Sequence, residues 1–235
     1  MSIYFDKDFL NENMMGPNVV TLLDELLMAS NISFEPGMRV LDLGCGKGLT
    51  SLVLADRYDI QVFAVDLWTA ATENYNRFRA FSMDQKIIPI HADALDMPFA
   101  DAYFDAVVSI DSYHYFGRDE HYLDEKLAPL VKKGGIIAIA VPGLKEEFQD
   151  AIPKEMLLSW TAEDLTTIRS YEWWRNIFRQ SKETEIVSIQ EMACFEEPWE
   201  DWLACDNAYA ISDRASMNAG AGKYMNFVSA VLKRR

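Results

Sequence analysis

The chain has 235 residues, half of them hydrophobic and 12% aromatic, with 22 Lys plus Arg against 37 Asp plus Glu and a net charge of −15. That is enough apolar material for one good core, which excludes a disordered chain. It also excludes the basic face that a nucleic-acid binder needs, so no nucleic-acid partner is expected.

The first residues, MSIYFDKDFL, are polar and acidic, so no signal peptide is expected. Pro17 opens a helix whose apolar residues Val19, Leu22, Leu23, Leu26 and Leu27 fall on one face. Glu35-Pro36-Gly37 marks a turn, and Arg39 to Leu43 reads as a strand running into glycines. Residues 47–57 read as a helix, 60–65 as a strand and 68–83 as a helix. Residues 87–89 and 104–110 read as strands. Residues 119–131 read as a helix stopped by Lys132-Lys133-Gly134-Gly135, with Ile136 to Val141 as the fifth strand. That last run is the longest apolar one and is too short to span a bilayer, so no membrane partner is expected.

Strands alternating with helices, the later strands continuous apolar runs, point to a parallel sheet covered on both faces. Right-handed crossovers make that sheet doubly wound. The tail changes rhythm. Short helices are expected over 144–168, a helical stripe at Tyr171, Trp174, Ile177 and Phe178, and a strand at 185–191. Residues 197–217 read as helical or irregular, and 223–232 as a final strand. The two late strands suggest antiparallel pairing at one sheet edge. The expectation is a single domain over 1–235. A helical cap spans 1–35, and substrate-side insertions span 144–168 and 195–217.

Cys45, Cys194 and Cys205 form no disulfide pattern, and a reducing, cytoplasmic setting fits them. Three histidines (His91, His114 and His121) make a zinc site improbable, and no metal is expected.

The segment Val40-Leu41-Asp42-Leu43-Gly44-Cys45-Gly46-Lys47-Gly48 carries the chemistry. Glycines let a ligand approach the backbone, and the helix that follows offers free N–H groups to an anionic group. The third glycine comes one residue early for a nicotinamide-dinucleotide fingerprint. Asp66, at the end of the next strand, suits the two hydroxyls of a ribose. His114 follows a buried strand at its carboxyl end, titrates near neutral pH, and has Asp111 three residues before it. His114 reads either as a base or as a structural histidine.

Together these motifs resemble the class I S-adenosylmethionine-dependent methyltransferases. VLDLGCGKG is similar to their first motif, AVDLW to their ribose-binding acid motif and HADALDMPF to their Asp-Ala motif. FDAVVSIDSYHYF and LVKKGGIIAIAVPG are similar to the fourth- and fifth-strand blocks. The resemblance is dense over 38–143 and looser over 171–192. It implies a Rossmann-like α/β fold with a doubly wound, seven-stranded, mostly parallel sheet and helical lid insertions.

For function, the resemblance implies methyl transfer from S-adenosyl-L-methionine to a small molecule, leaving S-adenosyl-L-homocysteine. Asp42 and the loop Gly44, Cys45, Gly46 and Gly48 would hold the methionine part, with Cys45 mainly packing. Asp66 would bind the ribose, Leu67 would pack on the adenine, and Asp93 and Ala94 would meet the adenine edge. Ile110 and Asp111 would lie beside the sulfonium, with His114 and Asp111 as the catalytic pair. Cyclopropane-forming relatives carry a Glu where His114 aligns, which weighs against that chemistry. No Asn-Pro-Pro-Tyr-type motif follows the fourth strand, which weakens amide or base N-methylation. The acceptor is expected between the N-terminal aromatics and methionines (Tyr4, Phe5, Phe9, Met14, Met15), residues 144–168, and the stretch from Phe195 to Trp202. Two alternatives stand beside this reading: a noncatalytic cofactor-binding protein and a nucleotide-cofactor oxidoreductase.

Overall fold

The computed structural model describes residue 3, residues 5–149 and residues 151–235. Tyr4, one of the expected acceptor-side aromatics, lies outside the described residues.

Two helices, α1 (Lys7–Asn13) and α2 (Val19–Ala29), precede the first strand. Asp6 and Asn18 cap them by accepting hydrogen bonds from the Phe9 and Val20 N–H groups. The α/β run then follows as β1 (Arg39–Leu43), α3 (Leu49–Arg57), β2 (Gln61–Asp66), α4 (Ala71–Ala80), β3 (Ile87–His91), β4 (Phe104–Ile110) and α5 (Tyr113–Phe116). The rest comprises β5 (Val131–Leu144), β6 (Arg169–Ser170), α6 (Tyr171–Gln180), β7 (Thr184–Glu191), α7 (Glu196–Leu203), α8 (Ala208–Asn218) and β8 (Met225–Arg234).

The sheet order is β3-β2-β1-β4-β5-β8-β7, with the two-residue β6 beside the end of β5. β1 to β5 pair in parallel, and β8 runs antiparallel to both β5 and β7. The expected mostly parallel, doubly wound sheet is therefore present, with the late strands at one side. Its seven principal strands become eight with β6. Pro89 falls in β3, an edge strand where a missing N–H is tolerated. Two apolar clusters cover the two faces. One is built on Leu22, Leu26, Leu52 and Val62, the other on Leu41, Val107, Tyr113 and Trp174.

One expected helix is shorter and irregular. Within 119–131 a π-helix at Leu123–Leu127 runs directly into a 3-10 helix at Ala128–Leu130, in place of a regular α-helix. Pro129 has no N–H to continue a helix. The Lys-Lys-Gly-Gly stretch is instead the start of β5, where Gly134 sits at φ +81° and Lys132 pairs with Asp105.

The order of the strands positions the site. β1 and β4 are neighbours although β2 and β3 lie between them in sequence, so the winding direction reverses there. Ligands in such sheets bind outside the strand ends at that reversal.

Candidate functional site

A cavity opens at the carboxyl ends of β1, β2 and β4. Its wall includes Gly44, Cys45, Gly46, Asp66, Leu67, Asp93, Ala94, Ile110 and Asp111, all expected from sequence. Gly48 lies just behind the wall, at the start of α3. Gly44, Gly46 and Gly48 all have positive φ (+73°, +54° and +82°). A Cβ at Gly44 would overlap Ser112, and one at Gly48 would overlap the Phe78 ring, so glycine is required there by space as well as by conformation. Gly44 and Cys45 donate their N–H groups to the Val65 carbonyl, at 2.8 and 3.0 Å. No side chain caps the N-terminus of α3 behind the loop.

Asp66 is buried, with only 7% of its surface exposed. Its Oδ2 accepts from Gly46 N at 2.8 Å, and its Oδ1 from Trp68 N and Thr69 N at 2.8 and 2.7 Å. The carboxylate thus stitches the glycine loop to the turn after β2. Oδ2, with one donor, keeps acceptor capacity for a ligand hydroxyl. Asp93 is built alike: its Oδ1 accepts from Leu95 N at 2.9 Å, holding the turn after β3.

Asp42 does not reach the cavity wall. It is buried, and its Oδ2 accepts from Thr50 Oγ1 at 2.6 Å and Ser51 Oγ at 2.5 Å, bracing α3 against β1. Burial, opposed by those two hydroxyls, raises its carboxyl to about 6.

Asp111 ends β4 in the left-handed region, at φ +55°, a conformation Asp adopts more readily than most residues. Its N–H donates to the Ala140 carbonyl at 2.8 Å, and its side chain faces the cavity. No described residue donates a hydrogen bond to its carboxylate. Burial and the nearby charge of Asp213 push the group up to about 7. Gly16 is packed against it: a Cβ on residue 16 would overlap Asp111 Oδ2.

His114 and Asp111 do not form a pair at the cavity. His114 is buried at 4% exposure, is absent from the cavity wall, and its Nδ1 has no partner. Burial and the charge of Arg118 lower it to about 3, so it is neutral across the physiological range. Arg118 Nε donates to its backbone carbonyl at 2.9 Å. Tyr115, the next residue, does line the cavity, in edge contact with Trp68 at 5.2 Å between ring centroids.

The wall also holds Asn13, Gly16, Trp68 and Ser112, for which the sequence implies no ligand contact. Ser109 and Ser112 both donate to the Leu43 carbonyl, at 2.9 and 2.8 Å, locking the end of β4 to the end of β1. The Gly16-Pro17 pair was the one visible hint of a close approach. Met15, an expected acceptor-side residue, is in the wall, with its sulfur beside Gly46 and Thr69. No described residue of 144–168 or 195–217 is in that wall. Trp160 and Trp202 instead point their indole N–H groups at Asp213, at 2.8 and 2.9 Å. Phe195 and Trp199 pack within the core beside Phe227 and Trp160.

Among the described residues, no helix is long and apolar enough to cross a membrane. No three metal-ligating side chains gather there.

A glycine loop, a strand-end acid after β2 and a cavity at the β1/β4 reversal define a Rossmann-like α/β domain with its ligand site at the switch point of the sheet. Residues 41–139 match the family model for a methyltransferase domain. The chain is 28% identical over 113 residues to 27-O-demethylrifamycin SV methyltransferase of Amycolatopsis mediterranei, covering 48% of this chain and 41% of that one. It is 30% identical over 145 residues to ajmaline N-methyltransferase of Rauvolfia serpentina, covering 60% and 48%. The chain therefore spans about half the length of the curated relatives it matches. Among solved structures, geranyl diphosphate C-methyltransferase from Streptomyces coelicolor, in complex with Mg2+, geranyl diphosphate and S-adenosyl-L-homocysteine, superposes with a TM-score of 0.72. It does so at 18% identity, over 92% of this chain and 79% of that one.

Proposed function

We propose that this protein is an enzyme that transfers a methyl group from S-adenosyl-L-methionine to a small-molecule acceptor, with S-adenosyl-L-homocysteine as the second product. The observation that carries the reading is the joint placement, in one cavity, of the glycine loop, of Asp66 with a spare acceptor site and of Asp111 with an unpartnered carboxylate. The residues fit such a cofactor. Gly44 to Gly48 would face its amino-acid part, Asp66 its ribose, Leu67 and Asp93 with Ala94 its adenine, and Ile110 with Asp111 its sulfonium. When bound, the cofactor supplies a methyl group already activated by the positive sulfur.

The chain's own task is alignment, exclusion of water and removal of a proton from the acceptor. Asp111 is suited to the last task by position and by a proton affinity near neutrality. His114 is suited to packing. Residues 1–35 serve as a cap, supported by Asn13, Met15, Gly16 and Val19 in the cavity wall. Residues 144–168 and 195–217 form a lid outside that wall, all within one domain. The free thiols favour a reducing, cytoplasmic setting, and the charge of −15 disfavours nucleic acid as a partner.

Calorimetric titration with S-adenosylmethionine, S-adenosylhomocysteine and NAD, with tryptophan fluorescence in parallel, tests the reading. Binding of the first two and not NAD supports it. Binding of NAD alone, or of none, overturns it. Tight cofactor binding with no acceptor ever turned over would leave the noncatalytic alternative.

A further inference from the structure

We propose that the acceptor is a small organic amine, received as its ammonium ion by the Asp111 carboxylate beside the exposed rings of Tyr115 and Trp68. The inference rests on the methyl-transfer reading and names the substrate class of that same cavity.

The charge of the cavity favours a cation. The described wall holds three carboxylates (Asp66, Asp93 and Asp111) and one base, Lys47. Lys47 turns its ammonium away to the Glu12 carbonyl at 2.6 Å. Asp66 is satisfied by three backbone N–H groups, and Asp93 by one. Asp111 has none, and Gly16 shields it on one side. A half-buried carboxylate that faces a cavity with no protein donor is open to a cationic ligand, which compensates its charge most directly. An alcohol would leave the charge uncompensated, and an anionic acceptor would be repelled.

A second carboxylate lies behind Asp111. Asp213 is held between the Trp160 and Trp202 indoles, two neutral donors that satisfy a carboxylate without cancelling its charge. No ion pair of Asp213 exists among the described residues. Its charge is felt at both Asp111 and Tyr115. The lid therefore adds negative potential to a pocket that has no free cation of its own.

Trp68 and Tyr115 are 66% and 49% exposed, yet they meet edge to face at the mouth of the cavity. Exposed rings beside an unpaired carboxylate suit an ammonium ion, through the ring quadrupole and the charge together.

The chemistry balances. The ammonium ion gives one proton to Asp111, and the freed nitrogen lone pair forms the new N–C bond. The C–S bond breaks with its electron pair remaining on sulfur, the N-methyl ammonium leaves, and Asp111 returns its proton to water.

The test is calorimetry at pH 7.5 on the full chain saturated with S-adenosylhomocysteine. Phenethylamine, 2-phenylethanol and phenylacetate share one size and differ in charge; butylamine, butanol and butyrate repeat the comparison without a ring. The expected result is that the amines bind at least tenfold more tightly than the matched alcohols and that the acids do not bind. Asp213→Asn should weaken the amines several-fold while leaving S-adenosylhomocysteine affinity unchanged. Asp111→Asn, with its fold checked by circular dichroism, should erase the preference for amine over alcohol. Alcohols or acids that bind as tightly as the amines, or cofactor product that binds while no amine does, overturn the proposal. Failure of S-adenosylhomocysteine itself to bind overturns the methyl-transfer reading instead.

Discussion

Gly16 and Asp111 are far apart in sequence and in direct contact in the fold: the Cα of one leaves no room for a methyl group against the carboxylate of the other. The contact joins the N-terminal segment to the end of β4. The same segment is fastened further along, where Asn18 Nδ2 donates to Asp201 at 2.7 Å and Asn18 N to the Pro198 carbonyl at 3.0 Å. Gly16→Ala should therefore lower stability by about 1–3 kcal/mol, as overpacking does. Asp111→Ala removes the atom that would be struck. The double variant should then be more stable than the sum of the two single changes predicts, by at least ~1 kcal/mol. Urea denaturation of the four proteins measures this coupling, and strict additivity would mean that the two residues do not touch.

Asp66 has a structural and a binding role in one carboxylate. Asp66→Ala should weaken S-adenosylhomocysteine by about 10- to 100-fold, the loss of charge-assisted hydrogen bonds worth ~1.5–3 kcal/mol. It should also lower stability, because Gly46, Trp68 and Thr69 each lose the acceptor for a backbone N–H. Asp66→Asn keeps one carbonyl oxygen and should recover part of the stability but less of the affinity. Titration calorimetry alongside thermal unfolding separates the two effects. Full affinity in Asp66→Ala would remove the residue from the ribose site.

The glycine loop and Asp66 were legible in the sequence because their chemistry is local. A strand, three glycines, a helix and an acid at the next strand end are set by backbone conformation within some twenty residues. The sheet was legible for the same reason, since apolar runs and turn signals recur along the chain. What depended on tertiary partners was not legible. The role of Asp42 follows from two hydroxyls on the next helix, and the exclusion of His114 from the cavity follows from how one short turn packs. The Asp213 anchor needs two tryptophans, one of them 53 residues away. The helix over 119–131 is shorter and irregular because Pro129 interrupts it, and the lysines and glycines that suit a helix end also suit the entry to β5.

His114 should behave as a buried, neutral imidazole. Its folded-state pKa of about 3 lies below the ordinary 6.5, so the folded protein resists protonating it while the unfolded chain does not. Nitrogen-15 NMR of the ring should show the neutral form down to pH 5. His114→Gln should cost stability and leave S-adenosylhomocysteine affinity within about twofold, a small fraction of the 1.4 kcal/mol that a tenfold change represents. A ring titrating near 6.5 would return His114 to the list of candidate bases.

The pH dependence of stability follows from three groups whose signs differ. Asp111 rises from 3.8 to about 7 on folding, and Asp42 from 3.8 to about 6. Between those values the folded protein holds protons that the unfolded chain has released, so stability falls as pH rises. Each contribution is fully present below pH 3.8 and is lost through pH 6 for Asp42 and pH 7 for Asp111. His114 acts oppositely: its contribution is present above pH 6.5 and is lost as pH falls toward 3. From pH 4 to 6 the two acids outweigh the histidine, and from 6.5 to 7 Asp111 acts alone among the three. The ligand-free protein should thus lose stability from pH 5 to 7.5 and then level off with respect to these groups. Asp111→Asn removes the largest acid contribution, of order 3–4 kcal/mol at full deprotonation. In that variant Asp42 and His114 nearly cancel, so the profile from pH 4 to 6 should flatten, and the variant should be more stable than the parent at pH 8. Urea denaturation at pH 5, 6, 7 and 8 on both proteins checks this. Equal stability of the two at pH 8 would show that the Asp111 carboxylate already has a partner in the ligand-free protein and has no need of a cationic acceptor.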